Sequence, residues 1–269
     1  MIGQSSIRRW IAPLAELFRY RDLLWLWTLR EVRVRYKQSL LGIAWAVLQP
    51  LVLMLIFTLV FSWLVRVDTG GVPYPVFSYV ALVPWTFFAT SLSFGIPSLV
   101  NNMNLVTKIY FPREILPLAS IGAALLDFVI AAVILASMIL IYRVPVGISA
   151  LWVLLLLGVQ IALTVGIVLI GAAILVFFRD MRFVIPLLTQ VWMYASPIVY
   201  PVDAVPERYQ TFYFLNPMAG IIDGYRRTLL QNQPPLPYAL ALSLGISLVL
   251  LVVGYGFFKR TEPLFADVI

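Results

Sequence analysis

The chain has 269 residues, of which 62% are hydrophobic and only 12% charged, with a formal net charge of +7. A soluble domain carries about twice that share of charge, and the apolar runs outlast any globular helix, so lipid is the solvent for most of the chain. There is no Cys and no His; disulfides, thiolate chemistry, His metal sites and His general bases are excluded, and the basic surplus reads as membrane topology rather than nucleic-acid binding.

The opening "MIGQSSIRRWIAPLAELFRYRD" is basic but has no compact apolar run followed by a small-residue cleavage site, so no removable signal peptide is expected. "LLWLWTLREVRVRYKQS" (23–39) follows. At 100° per residue Trp25, Leu29, Val32 and Tyr36 form a narrow apolar stripe, with Arg30, Arg33 and Lys37 on a basic side. That pattern predicts an amphipathic helix in the headgroup plane, just before the chain enters the bilayer. Two roles stay open. One is a plain anchor that reads orientation. In the other, Arg30, Arg33, Arg35 and Lys37 also meet a phosphate-bearing lipid headgroup, since the planar guanidinium fork pairs with phosphate oxygens.

Six segments are predicted to span, at about 40–65, 76–100, 115–142, 149–178, 183–199 and 238–258. A crossing needs roughly 20 mostly apolar residues, and the fifth segment is short and interrupted by prolines. Six spans put both termini on one side. With that side cytoplasmic, the N-terminus, the 101–114 connection, the "FRDMR" loop and the tail hold 14 of the 19 Lys and Arg and the other side 5, as the positive-inside rule requires. The chain thus divides into a cytoplasmic N-terminus with the amphipathic helix (1–39), a six-span domain (40–258) and a cytoplasmic tail (259–269). Kinks are expected at Pro50, Pro84, Pro97 and Pro186, each of which lacks a backbone donor.

Between the second and third spans, "NNMNLVTKIYFPREILP" (101–117) breaks the apolar pattern. Leu105, Val106, Ile109 and Tyr110 share one helical face, Asn101, Asn104 and Lys108 the other, and Pro112 ends the helix. A simple connection needs fewer polar residues. The stretch either rests on the membrane surface or acts as a lever docked in a soluble partner. Asp127 is the one acidic residue deep in a predicted span, a functional candidate or a neutral group hydrogen-bonded to a neighbouring Ser or Thr.

Between Tyr200 and Gln233, "PERYQTFYFL" and "NPMAGIIDGYRRTLL" are too short to cross and read as a re-entrant or interfacial pair on the outer face. Asn216–Pro217 predicts an N-cap with proline in the first turn, and Asp203–Pro206 a second cap. Tyr194, Tyr200, Tyr209, Phe212, Tyr213 and Phe214 cluster here, either as an interfacial belt or as rings that stack on sugars at a channel mouth. No Gly-x-x-x-x-Gly-Lys-Ser/Thr loop occurs, no close carboxylate pair suggests glycosyl transfer or metal binding, and no nucleophile has an evident base. An enzymatic reading has little to stand on.

Four stretches, "RYKQSLLGIAWAVLQPLVLMLIFTLVFSWLV" (35–65), "FFRDMRFVIPLLTQVWMYASPIVYP" (177–201), "LNPMAGIIDGYRRTLL" (215–230) and "FFKRTEPLFADVI" (257–269), resemble in this order the type 2 ABC exporter permeases that move polysaccharides. The similarity covers nearly all of the chain beyond Tyr20; the stretch before it, with Pro13, looks longer than the minimal form.

The resemblance implies an all-α integral membrane protein with six transmembrane helices, an N-terminal interface helix, a cytoplasmic coupling helix and short re-entrant outer-face helices before the last span. It implies a homodimer with two copies of a soluble ATP-binding subunit. ATP and Mg would be held by that subunit, and no cofactor or metal by this chain. A lipid-pyrophosphate-linked polysaccharide would be the cargo, moved across the bacterial cytoplasmic membrane.

The coupling residues would be Asn104, Leu105, Thr107, Lys108, Ile109 and Tyr110. Trp45, Trp85, Phe87, Phe88, Trp192 and Tyr194 would line the sugar path, and Tyr200, Tyr209, Phe212, Tyr213, Asn216 and Pro217 the outer gate. O-antigen, teichoic acid and capsule remain alternatives as cargo. A drug or lipid exporter of the same class, or a membrane enzyme acting on polyprenyl-phosphate sugars, remain the competing readings.

Overall fold

Backbone amides inside hydrocarbon must be satisfied within their own segment. The computed structural model describes residues 19–65, 67–108 and 111–265, and its regular structure is helical, with no strand among those residues. The basic stretch 1–18, Arg66, Ile109, Tyr110 and residues 266–269 lie outside the described residues.

Helix α1 (Arg21–Tyr36) precedes the first long apolar helix, Gly42–Ser62, which comprises a 3₁₀ turn, α2 (Trp45–Phe57) and a π-helical turn beginning at Thr58. Next come α3 (Tyr74–Gly95), the short α4 (Ser98–Asn101) and α5 (Met103–Lys108), and α6 (Ile115–Ile141). A 3₁₀ turn and α7 (Trp152–Phe177) make the fourth long helix. After α8 (Met181–Tyr194), α9 (Glu207–Tyr213) and α10 (Pro217–Leu230), helix α11 (Pro237–Thr261) completes the fifth.

Five helices among the described residues are therefore long and apolar enough to cross a membrane, at close to the predicted positions. The segment expected as a further span, 183–199, is helical only as far as Tyr194, where α8 ends. At its helical rise α8 is too short to cross the hydrocarbon core unaided. The cause is local. Pro197 and Pro201 cannot donate into a helical ladder, and the chain from Ala195 to Tyr200 folds into turns.

Helix α3 is the most enclosed of the five and packs against α2, α6, α7, α8 and α10. The outer surfaces of the others carry exposed Leu55, Leu59, Val133, Leu154 and Val252, an apolar exterior that only lipid or another apolar surface satisfies. Pro50, Pro84 and Pro186 lie inside α2, α3 and α8, while Pro97 precedes α4. Beside Pro84, the fully buried Gln160 of α7 donates its Nε2 to the Pro84 carbonyl at 2.6 Å.

Helices α7 and α11 make the most extensive pairing, and glycine permits it. A Cβ on Gly166 would stand 2.5 Å from the Leu250 carbonyl carbon, and one on Gly254 would strike the Gly166 carbonyl oxygen. Small residues that let backbones meet are the usual adhesive between helices in lipid, where apolar side chains gain nothing by leaving the solvent.

Helix α1 lies along the first turns of α6, with Thr28 buried against Gly122. Its protein-facing stripe runs through Leu24, Thr28, Glu31 and Arg35. The predicted stripe is rotated relative to this one, and Trp25 points outward, 56% exposed.

Candidate functional site

The polar connection 101–114 is built on an apolar base. Val106 is buried with Leu99, Phe111, Ile115 and Leu116, and Leu105 packs against the same cluster. Asn104, Thr107 and Lys108 point outward, exposed. Of the coupling candidates, Leu105 thus helps anchor the short helix α5, while Asn104, Thr107 and Lys108 face outward; Ile109 and Tyr110 fall outside the described residues.

Its attachment to the membrane helices is polar and buried. Glu114, fully buried, holds the Lys259 Nζ at 2.7 Å, Lys259 also meets Glu262 at 3.0 Å, and the Arg113 amide donates to Glu262. The Arg113 guanidinium donates to the Glu262 carbonyl. Burial raises the Glu114 carboxyl above its ordinary range, against the pull of Lys259. The start of α6 and the end of α11 are thus tied together, six residues after α5 ends.

The basic residues of α1 divide. Arg33 and Lys37 are exposed. Arg30 stacks on Trp27 at 4.2 Å, pairs with Glu31 at 3.2 Å and donates to Asn102 Oδ1 at 3.3 Å, linking α1 to the turn before α5. Arg35 turns inward. Its Nη1 lies 2.5 Å from Asp127 Oδ2, its guanidinium stacks on Phe94 at 4.1 Å, and the Tyr36 hydroxyl donates to Asp127 Oδ1 at 2.8 Å. Asp127 therefore has a cationic partner, not the Ser or Thr considered from sequence. Burial, then the Asp127 carboxylate, push the Tyr36 phenol up to about 12, so it stays a donor at physiological pH.

The six path aromatics do not share one surface. Trp85, Phe87 and Phe88 fill the interior of the bundle, at 3% exposure or less. Trp192 bridges inside and outside: its ring meets Phe88 edge-on at 5.1 Å, and it stays partly exposed. Tyr194 and Trp45 are open, at 57% and 48%. Accessible aromatic surface among these candidates is therefore confined to Trp45 on α2 and to Trp192 and Tyr194 on α8. An apolar groove of about 790 Å³ runs beside α8, lined by Ile170, Ile174, Ile185, Leu188, Trp192 and Phe212 among others.

Among the gate candidates Asn216 makes the most side-chain hydrogen bonds. Its Oδ1 accepts from Met218 N at 3.1 Å, the predicted N-cap, and from Trp192 Nε1 at 2.7 Å. Its Nδ2 donates to the Ala195 carbonyl and to Ser196 Oγ, each at 3.0 Å. Pro217 opens α10. No side-chain cap forms before α9, where Pro206 occupies the cap position instead of an Asp203 contact. The Tyr200 and Tyr213 hydroxyls are 3.0 Å apart, while Tyr209 and Phe212 are exposed. Helix α10 is a largely buried insertion packed on α3, α7 and α11.

Sequence reasoning passed over Arg226. It is 4% exposed, and its guanidinium gathers the non-helical turn after α8. Nη1 donates to the Pro197 and Tyr200 carbonyls at 2.5 and 2.9 Å, Nη2 to Ile198 at 2.6 Å, and Nε to Phe77 at 3.4 Å. Its flat face stacks on Phe77 at 3.6 Å. Irregular backbone among membrane helices survives only where protein supplies the missing hydrogen bonds; here Arg226 serves three carbonyls of the turn, while Tyr74 serves Val199 and Asn216 serves Ala195. The signal was available: Arg226 falls four residues after Ile222 and eight after Met218, on the apolar face of α10.

Bundle, polar connection and buried insertion together mark a membrane protein of several spans. Residues 22–230 match the family model described as ABC-2 type transporter, and the chain belongs to that family. It is 30% identical to the O-antigen export system permease protein RfbA of Myxococcus xanthus over 94% of this chain and 97% of that protein. It is 28% identical to the RfbA of Klebsiella pneumoniae, over 92% and 95%. It is 25% identical to the polysialic acid transport protein KpsM of Escherichia coli, over 87% and 91%.

Proposed function

We propose that this chain is the membrane subunit of an ATP-driven exporter that carries lipid-linked polysaccharide of the O-antigen type across the bacterial cytoplasmic membrane. The observation that carries the reading is similarity over nearly the full length of both chains to permeases named for O-antigen export. Similarity to a polysialic acid transporter at lower identity keeps capsular polysaccharide as the second cargo.

In this reading two copies pair, and a soluble subunit hydrolyses ATP, since the sequence carries no phosphate-binding loop. That subunit grips Asn104, Thr107 and Lys108 of α5. The buried Glu114–Lys259–Glu262 cluster supports the mechanical half of the reading, because it ties the root of that helix to the last span. Helix α8 and the turn after it make a sixth crossing, both termini are cytoplasmic, and α9 and α10 face outward as the gate. Trp45, Trp192 and Tyr194 offer flat rings to a sliding polymer. Stacking on sugar faces tolerates changes of register, which a mobile chain requires. In the same reading the exposed Arg33 and Lys37 meet the carrier's phosphates.

Deleting the gene in its own host tests this. Surface polysaccharide should disappear and lipid-linked glycan should accumulate on the inner leaflet, with both restored by a plasmid copy. Unchanged surface polysaccharide would overturn the proposal.

A further inference from the structure

Where α1 ends and the first span begins, a cavity of about 240 Å³ lies between α1, α2, α3 and α6. Its walls include Arg35, Trp45, Gln49, Thr86, Thr90 and Asp127, a polar set for a place enclosed by membrane helices. Arg35 is nine-tenths buried, its side chain 9% exposed. Only Nη1 reaches Asp127; Nε and Nη2 are buried without a hydrogen-bond partner. Buried donors left unpaired are costly, and two on one cavity-lining side chain call for acceptors that the protein does not provide. A carboxylate has about four acceptor sites, and Asp127 uses one on each oxygen for Arg35 and Tyr36. Thr86 and Thr90, one turn apart on α3, add hydroxyls.

Charge decides what fits. Arg35 and Asp127 cancel, so the cavity is close to neutral, and a phosphate beside the Asp127 carboxylate would be repelled at short range. The headgroup role weighed for Arg35 from sequence is therefore better left to Arg33 and Lys37. A neutral guest bearing both donors and acceptors suits the walls. The volume falls below the ~300 Å³ at which drug-sized sites begin, which suits a single ring. Trp45, half exposed at the mouth, offers a face for the apolar side of such a ring, whereas Phe94 is already covered by Arg35.

We propose that this cavity is a subsite for one uncharged sugar ring, held by Arg35, Asp127, Thr86, Thr90 and Gln49 and stacked on Trp45. The proposal rests on the reading that the cargo is a polysaccharide, and it assigns Asp127 a role: acceptor for sugar hydroxyls, with Arg35 as the matching donor. Because Arg35 stands on α1 and Asp127 on the helix that follows α5, the ring bridges the two elements nearest the proposed ATPase contact.

The test uses the full-length protein in lipid nanodiscs and saturation-transfer NMR. The probes are the methyl glycosides of glucose, galactose, mannose and N-acetylglucosamine, with inorganic pyrophosphate as competitor. At least one glycoside should bind saturably. Thr90→Val and Gln49→Leu, which spare the ion pair and hence the fold, should each weaken it at least fivefold, and pyrophosphate should not displace it. In host cells the same variants should lower surface polysaccharide at unchanged protein level. Displacement by pyrophosphate would show an anion site and overturn the proposal. So would absence of glycoside binding together with undiminished export by both variants, which marks a purely structural ion pair. Those results would leave the export reading standing, since it falls only if gene deletion leaves surface polysaccharide intact.

Discussion

Asn216 shows how much one side chain carries in the proposed gate region. It caps α10, holds the Trp192 indole and ties down the turn at Ala195 and Ser196. A lost N-cap costs about 1 kcal/mol and each of the three further bonds roughly another, so Asn216→Ala should destabilise the protein by about 4 kcal/mol. Asn216→Asp keeps the acceptor that serves Met218 and Trp192 and places negative charge where a helix N-terminus favours it, but it loses the two donated bonds and sets a carboxylate oxygen against the Ala195 carbonyl. It should fall between wild type and alanine in thermal midpoint measured in detergent. Equal loss in both variants would mean that the donated bonds, not the cap, dominate. The cap itself was legible, because Asn-Pro before an apolar-periodic run is a local signal. The bond to Trp192, 24 positions earlier, was not, since nothing local specifies it. Arg35 repeats the lesson: its sequence neighbours are basic and place it with the headgroup-facing set, yet Asp127, 92 positions away, turns it inward.

At the scale of elements, the long helices were readable because lipid imposes a length and forbids unsatisfied backbone. The 183–199 segment shows where that reasoning stops. Hydropathy registers an apolar run and is blind to whether its carbonyls are served by a helix or, as here, by the guanidinium of a distant arginine. Glycine positions are equally mute in sequence. Gly245 and Gly254 lie in the same helix, yet a Cβ at Gly245 meets nothing within 4 Å, while one at Gly254 strikes the backbone of α7. Gly254→Ala should therefore push α11 from α7 and cost about 1–3 kcal/mol, the range for overpacking. Gly245→Ala should be neutral or slightly stabilising, because alanine is the better helix former. A shared response of the two variants in thermal midpoint would refute the close-crossing account.

For the molecule as a whole, the arrangement separates two polar ends by a lipid-facing belt, and the sidedness of those ends decides whether an energy-supplying subunit can reach α5. Lys108 is exposed on α5, and Phe212, 71% exposed on α9, belongs to the proposed gate. The chain lacks cysteine, so a single introduced thiol is a unique label. In the proposed orientation, which the distribution of Lys and Arg favours, Lys108 faces the cytoplasm. A membrane-impermeant maleimide should accordingly modify Lys108→Cys only in inside-out vesicles and Phe212→Cys only in right-side-out ones. Bound soluble ATPase should then shield Lys108→Cys and leave Phe212→Cys unaffected, because protection requires contact. Labelling of Lys108→Cys from the outer face would remove α5 from the reach of any cytosolic ATPase, and with it the drive for export.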